Sequence, residues 1–171
     1  MAEADDSRQD VKRSLTELYR RPGFLIRRAH QIAVSIFLEE TADFGITTTQ
    51  YGAMVVLRAM PQLDQVSLSR LVGIDRSTTA LVVSKLIESG YVICTTDAKD
   101  KRRNLLTLSK AGQRLLRGVT QPAHRARERL LSAFEPQEAK LFLDLLERFV
   151  ATFNAETRAP IVAPVFQREQ K

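Results

Sequence analysis

The sequence predicts a mainly α-helical chain with a small β-wing, on three observations. Two short helical segments are separated by Gly73, two short strand patterns flank the charged loop Asp97–Arg103, and apolar residues at helical spacing lie on both sides of this region. Because a glycine-containing turn between two helices and a following hairpin form a known DNA-reading motif, the predicted fold is a winged helix-turn-helix flanked by N- and C-terminal dimerisation helices.

The composition is consistent with one soluble domain that has a polyanionic partner. The chain has 171 residues, a formal charge of +6 and a pI near 9.8, and this basic balance favours nucleic acid. A basic balance alone would also suit membrane surfaces and acidic proteins. The start, Met1–Asp6, has no signal-peptide pattern, and no apolar run reaches the roughly 20 residues that a membrane span needs. We therefore expect a cytoplasmic protein without a membrane partner.

Residues 1–45 are predicted to be an N-terminal extension followed by a dimerisation helix. Gln9–Arg20 can form a short helix, which Arg21-Pro22-Gly23 should end, because Pro disfavours a helical conformation in the preceding residue. From Phe24 to about Asp43, apolar residues recur at the 3.6-residue period of an amphipathic helix.

Residues 46–110 are predicted to form the winged helix. Thr47 and Gln50 match a capping box that opens a helix ending before Pro61. Ser67 is the expected N-cap of the next helix, and Asp75 or Ser77 that of the second, the recognition helix. Beyond the recognition helix, the β-branched runs Tyr91–Thr96 and Asn104–Leu108 predict two paired strands around the charged loop.

Residues 111–156 are predicted to form two C-terminal dimerisation helices, and residues 157–171 an irregular tail. Pro122 should bend the first of these helices, and Glu135-Pro136 allows the second to start. The flanking helices carry more apolar surface than one thin domain can cover. Either they pack within one chain, or, as we expect, the same patch meets itself in a two-fold homodimer that matches a palindromic DNA site.

Four segments resemble the MarR (multiple antibiotic resistance regulator) family of bacterial transcription factors. They are Ile74–Thr79, Lys85–Val92, Asp97–Arg103 and Leu106–Gly112, and the resemblance extends over roughly Phe24 to Phe153. It implies an obligate homodimer that binds a palindromic operator in double-stranded DNA, represses transcription, and often releases the DNA when a small aromatic effector binds.

The predicted DNA contacts lie in the helix-turn-helix and in the wing. Arg76 can donate two hydrogen bonds to guanine, hydroxyl groups suit bases or phosphates, and the wing cations suit the backbone and minor groove. The sequence departs from the family at Ala80 and Leu81, which either contact thymine methyl groups or face inward, and at Lys99, where the family usually has Arg. The predicted contacts are Ser67, Arg76, Ser77, Thr78, Thr79, Ser84, Lys85, Lys99, Lys101, Arg102 and Arg103.

A ligand site is expected where the dimerisation helices meet the winged helix. Aromatic walls with one or two cations suit an aromatic acid or its coenzyme A thioester, because Arg can hold a carboxylate through two parallel hydrogen bonds. The segment from Arg21 to Gln31 also resembles MarR members that govern aromatic-acid breakdown. The candidate residues are Phe24, Arg27, Arg28, His30, Gln31, Phe37 and Tyr51.

Other functions receive weaker support from the sequence. Cys94, the only thiol, could make a redox switch if the cationic wing lowered its pKa, although a buried Cys is usually inert. No motif of a nucleotide-binding, hydrolytic or metal-dependent enzyme is present, and no Cys/His pair has metal-ligand spacing, so we expect no enzyme, no cofactor and no metal. A non-specific architectural DNA binder and a protein-binding winged helix remain alternatives.

Overall fold

The computed structural model of the protein describes residues 12–162, and its helices and strands follow the predicted order. Helical residues 12–20 (α1) precede a long helix α2, and a short 3-10 turn, Ala42–Phe44, leads to the winged helix. The remaining elements are α2 (Pro22–Glu40), α3 (Thr48–Ala59), β1 (Leu63–Asp64), α4 (Gln65–Val72), α5 (Arg76–Glu88), β2 (Val92–Thr96), β3 (Asn104–Leu108), α6 (Lys110–Leu131) and α7 (Pro136–Phe153). The prediction of a mainly helical protein with a β-wing is confirmed.

The three strands form one antiparallel sheet in the order β1-β3-β2. Leu106 of β3 lies between Leu63 of β1 and Cys94 of β2, so the wing hairpin is joined to the chain that precedes α4. The sequence analysis missed β1, because a two-residue strand is too short to show an alternating pattern.

The buried core lies in the winged helix and in the part of α6 that packs on it. Met54 of α3, Leu68 of α4 and Leu86 of α5 are almost completely buried, and Leu106 and Val119 join the same cluster from β3 and α6. Burying large aliphatic side chains in this way is the main source of folding free energy. This core therefore holds α4 and α5 in a constant relation to the sheet.

Two predicted helix boundaries were wrong by a few residues. α2 begins at Pro22 rather than Phe24, because Pro is well suited to the first helical position, where its missing N–H costs nothing. It ends at Glu40 rather than near Asp43, and Gly45 leaves the following 3-10 turn with a φ of 58°. α6 runs through Pro122 as one helix, and Phe134 lies beyond its end.

The helix caps confirm three predictions and correct a fourth. Thr47 and Gln50 form the capping box of α3, Asp75 caps α5, and α7 starts after Glu135. The N-cap of α4 is Asp64 and not Ser67, whose own N–H donates to the Asp64 carboxylate at 2.8 Å. Asp is as good an N-cap as Ser, and with Asp64 as the cap the helix starts at Gln65, three residues earlier than Ser67 would allow.

The flanking helices are far less buried than the winged helix. α2 packs against α6, where Arg125 pairs with Glu40 at 3.0 Å, but α7 contributes no buried residue. Among residues 12–162, no helix is both long enough and apolar enough to cross a membrane. The apolar side chains that α7 exposes are Leu141, Leu145, Leu146, Phe149, Val150 and Phe153.

The predicted tail is only partly described. Residues 157–162 are irregular, as predicted, but they lie against the helix-turn-helix, where the Val162 N–H donates to the Arg70 carbonyl at 2.9 Å. Residues 163–171, and the start of the predicted Gln9–Arg20 helix, lie outside the described residues.

Candidate nucleic-acid interface and effector groove

The recognition helix α5 has one buried and one exposed face. Val82, Val83 and Leu86 point into the core at the helical spacing of three and four residues. The opposite face is open to solvent along its whole length, as a helix that enters a major groove must be. Its exposed residues are Arg76, Ser77, Thr78, Ala80, Leu81, Ser84 and Lys85.

Asp75 orders the first turn of α5. Its carboxylate accepts the N–H and the hydroxyl of Thr78, at 2.9 and 2.6 Å, and the hydroxyl of Ser77. The hydrogen bonds from the Ser77 and Thr78 side chains hold the pKa of Asp75 well below its ordinary value. The two hydroxyl oxygens keep their lone pairs, so they are oriented as hydrogen-bond acceptors at the end of the exposed face.

Thr79, which the sequence predicted to contact DNA, does not belong to the exposed face. Its side chain is 0% exposed, and its hydroxyl donates to the Asp75 carbonyl at 2.8 Å. Thr79 lies three residues before Val82, so the helical period places it on the core side. It therefore cannot reach a base edge.

Ala80 and Leu81, where the sequence departs from the family pattern, both lie on the exposed side of α5. Both side chains are exposed, and Leu81 is 65% exposed although it is aliphatic. The alternative in which this pair faces inward is therefore wrong. α5 presents two adjacent apolar side chains in the middle of this face, and Ile87, which is 38% exposed, lies near its end.

The wing is held by its two aspartates. Asp97 accepts the N–H of Lys99 at 2.8 Å, and Asp100 accepts the N–H of Arg102 at 3.0 Å. Lys99, Lys101 and Arg102 are exposed and form no ion pair with any residue between 12 and 162. The loop thus presents three cations on an ordered backbone.

Arg103 has a different role from its neighbours. Its guanidinium donates to Asp64 at 2.6 Å, which is the same carboxylate that caps α4. The pKa of Asp64 is below its ordinary value, chiefly because the Ser67 N–H donates to it and also because of Arg103. Arg103 therefore joins the wing to the helix-turn-helix, and the half-buried Ser67 lies beside that junction.

Cys94 lies exposed on β2, opposite Leu106 of β3. Its side chain lies on the same face of the hairpin as the buried Val92 and Leu106, but β2 is an edge strand of the sheet and the core does not extend over Cys94. Within residues 12–162, no group of His, Cys, Asp and Glu side chains is arranged to hold a metal ion.

A groove between α2, α3 and α6 contains three of the seven candidate ligand residues. His30, Phe37 and Tyr51 line two adjoining cavities of about 310 and 320 Å³, which share Phe37. The same cavities are lined by Thr48, Ala123, His124 and Arg127, which the sequence analysis did not single out. The combination is an apolar wall with two imidazoles and one guanidinium.

The other four candidate ligand residues lie on a separate surface of α2. The Arg27 guanidinium is 4.9 Å from the centre of the Phe24 ring, and Arg27 and Arg28 both donate to Gln31, at 3.3 and 2.9 Å. None of the four lines the groove. The part of α2 that lines the groove runs from His30 to Phe37, and Phe24, Arg27 and Arg28 precede it.

Comparison with known proteins agrees with this geometry. Residues 44–103, from the turn before α3 to the end of the wing, match the model of the MarR family. The HTH-type transcriptional repressor NicR of Pseudomonas putida is 25% identical over 128 residues, which cover 75% of this chain and 81% of NicR.

Two solved structures extend the similarity to the flanking helices. The PcaV transcriptional regulator of Streptomyces coelicolor, in complex with its natural ligand, is 33% identical with a TM-score of 0.70, covering 78% of this chain and 94% of PcaV. BpsR of Bordetella bronchiseptica, whose DNA binding is regulated by 6-hydroxynicotinic acid, is 25% identical with a TM-score of 0.72, covering 77% of this chain and 94% of BpsR. With its exposed recognition helix and ordered basic wing, the chain belongs to the MarR family of transcriptional regulators, which are not enzymes.

Proposed function

We propose that the protein is a homodimeric repressor that binds a palindromic operator and releases it when an aromatic acid, or the coenzyme A thioester of one, occupies the groove between α2, α3 and α6. The observation that carries the DNA-binding part is the fully exposed outer face of α5 beside a wing with three unpaired cations. Such a surface has no partner within the described chain and matches the shape and charge of a DNA groove.

In this proposal, the base contacts come from the exposed face of α5. Arg76 donates two hydrogen bonds to a guanine, and Ala80 and Leu81 contact thymine methyl groups. Ser84 and Lys85, further along the helix, bind the sugar-phosphate backbone of the DNA. Because Thr79 is buried, base reading depends on fewer hydroxyl groups than the sequence alone indicated.

The wing cations complete the interface. Lys101 and Arg102 bind phosphates, and Lys99 enters a minor groove, whose negative potential attracts any cation when the groove is narrow. Arg103 supports them indirectly, because Asp64 already holds its guanidinium.

The exposed apolar face of α7 supports the homodimer. Leu145 and Phe149 lie one turn apart and are 44% and 47% exposed, and α7 as a whole has no buried residue. A contiguous apolar face of this kind marks an interaction site, and a two-fold axis through it would place two copies of α5 on one side of the dimer. Two recognition helices can then reach successive major grooves, roughly 34 Å apart.

The effector part of the proposal depends on the groove. Arg127 has no acidic partner among residues 12–162, so it is available to hold a carboxylate, with Phe37 and Tyr51 beside an aromatic ring. The groove joins α3 of the winged helix to α2 and α6 of the flanks, so occupancy can favour one arrangement of these parts. To release DNA, the acid must bind the arrangement that cannot bind DNA more tightly than it binds the arrangement that can.

The DNA-binding part is tested by fluorescence anisotropy of the full chain with a duplex selected from a random library and with its scrambled version. We expect tight binding to the selected duplex only, with an affinity that falls as salt rises. Arg102→Ala should flatten the slope of log affinity against log salt by about 0.9, the value for one lost phosphate contact, whereas Lys140→Ala on α7 should not. Equal affinity for both duplexes would favour an architectural binder, and no salt-dependent binding would favour a protein-binding module.

The effector part is tested by adding hydroxybenzoates, hydroxycinnamates and 6-hydroxynicotinate to the preformed complex. We expect at least one acid to release the DNA and to raise the melting temperature of the free protein. Arg127→Ala should lower the affinity of the protein for that acid roughly tenfold or more, because a charge-assisted hydrogen bond is lost. Arg28→Ala, which changes an arginine outside the groove, is the control. No stabilisation by any acid at millimolar concentration would contradict the effector assignment.

A further inference from the structure

The chain segment after α7 is attached to the helix-turn-helix at several points. Asn154 holds the turn before it, since its side-chain amide donates to the Ile161 carbonyl at 2.9 Å and accepts the Ile161 N–H at 2.8 Å. The Val162 N–H then donates to the Arg70 carbonyl on α4. Gly73, whose φ of +72° already favours glycine, has no space for a Cβ because the Ile161 side chain lies against it. Residues 157–162 are thereby held against the turn that precedes α5.

This attachment brings three arginines to one small cavity. Arg158 of the segment, Arg70 of α4 and Arg76 of α5 line a cavity of about 320 Å³ beside the first turn of the recognition helix. All three are exposed, and none has an ion pair or a side-chain hydrogen bond to any residue between 12 and 162. Three guanidinium groups that are gathered in this way repel one another unless an anion lies between them.

One carboxylate lines the cavity, and it does not neutralise this cluster. Asp75 carries one negative charge against three guanidinium groups, and both of its oxygens already accept hydrogen bonds from Ser77 and Thr78. The cluster therefore keeps net positive charge at the edge of the face that α5 exposes. An anion that lies beside this edge when α5 occupies a groove is a phosphate of the DNA backbone.

We propose that Arg158, carried by the segment after α7, binds a phosphate of the DNA backbone together with Arg70. This phosphate lies next to the base that Arg76 contacts. This inference depends on the proposed function and extends the DNA interface to a part of the chain outside the winged helix. The segment thus belongs to the DNA-binding surface, although it follows a helix assigned to the dimer.

The test compares Arg158→Ala with Arg148→Ala, an exposed arginine on α7, in the full chain. We expect Arg158→Ala to lower affinity roughly tenfold, equally for the selected and the scrambled duplex, and to flatten the salt slope by about 0.9. Arg158→Lys should keep the slope, because it keeps the charge. Arg148→Ala should behave like the wild type in both measurements.

A second variant tests the attachment itself. Ile161→Ser removes the contact with Gly73 and should reproduce much of the loss caused by Arg158→Ala, while the circular dichroism spectrum and melting temperature of the protein stay close to those of the wild type. Wild-type affinity and slope for Arg158→Ala would overturn this inference alone. A loss restricted to the selected duplex would overturn the phosphate assignment in favour of a base contact. Absence of salt-dependent binding by the wild type would overturn both this inference and the proposed function.

Discussion

The winged helix and the helices that flank it are built in different ways. In the winged helix, Leu68 is completely buried and Asp64, Asp75 and Thr47 each cap a helix with a side-chain oxygen. In α7, six large apolar side chains are 38% to 57% exposed and no residue is buried. The first region is complete within one chain, and the second has an apolar face with no cover from the described residues.

This difference separates two sources of stability. The winged helix has its apolar contacts already, so its stability should not depend on protein concentration. The apolar face of α7 gains its contacts only in the proposed homodimer, and its contribution should depend on concentration.

The largest effect is expected from Leu145→Asp on α7. A two-fold interface would contain this carboxylate twice without a partner, at a cost of about 4 kcal/mol or more, which corresponds to a dimer dissociation constant raised roughly a thousandfold. Light scattering after size-exclusion chromatography should show a monomer at micromolar concentration. Leu81→Asp, which alters an exposed leucine outside α7, should remain dimeric. A dimeric Leu145→Asp protein would place the interface elsewhere.

The next effect is expected from Leu68→Ala in the core. Removing a fully buried leucine side chain should lower the free energy of unfolding by about 3 kcal/mol, because apolar contacts are lost and a cavity forms. Leu81→Ala makes the same chemical change at an exposed position and should cost less than about 0.5 kcal/mol. Urea unfolding without DNA measures both, and equal losses would contradict the burial contrast.

The smallest effect concerns the dependence of stability on pH at the cap of α5. The pKa of Asp75 is lower in the folded protein than its ordinary value of 3.8, so its stabilising contribution is complete above about pH 4 and is lost as the pH falls below it. Asp75→Asn keeps a capping oxygen and should lose stability less steeply than the wild type on acidification below pH 4. Acid unfolding followed by circular dichroism measures the slope. Asp144→Asn on α7 should leave the slope unchanged, and an unchanged slope in Asp75→Asn would contradict the role of the carboxylate.

Local signals in the sequence were sufficient to predict most of the winged helix. The Thr47–Gln50 capping box, the Gly73 turn and the wing strands each depend on neighbouring residues, and the structure contains all of them. Thr79 could also have been placed correctly, because it shares the helical period of Val82 and Leu86. Its hydroxyl group suits a DNA contact, but its position in the helix places it on the core side.

The groove and the segment after α7 could not be predicted in the same way. His124 and Arg127 join Tyr51 only because α6 packs across α2 and α3, and such long-range pairing leaves no mark on the local pattern. The docking of Ile161 on Gly73 likewise joins residues that are far apart in sequence. Periodicity identifies which face of a helix is apolar, but it does not identify the element that covers it.

The hydrogen bond between Arg103 and Asp64 limits how the binding of an effector can change the DNA-binding surface. One carboxylate both starts α4 and restrains the base of the hairpin, and α4 shares a buried core with the recognition helix α5, so the helix-turn-helix and the wing move as a single body. A bound effector would then change the distance and angle between two such bodies rather than deform either of them. In that case the effector changes the half-site spacing that the two recognition helices of a dimer can bind together. The sequence preference within each half-site stays the same.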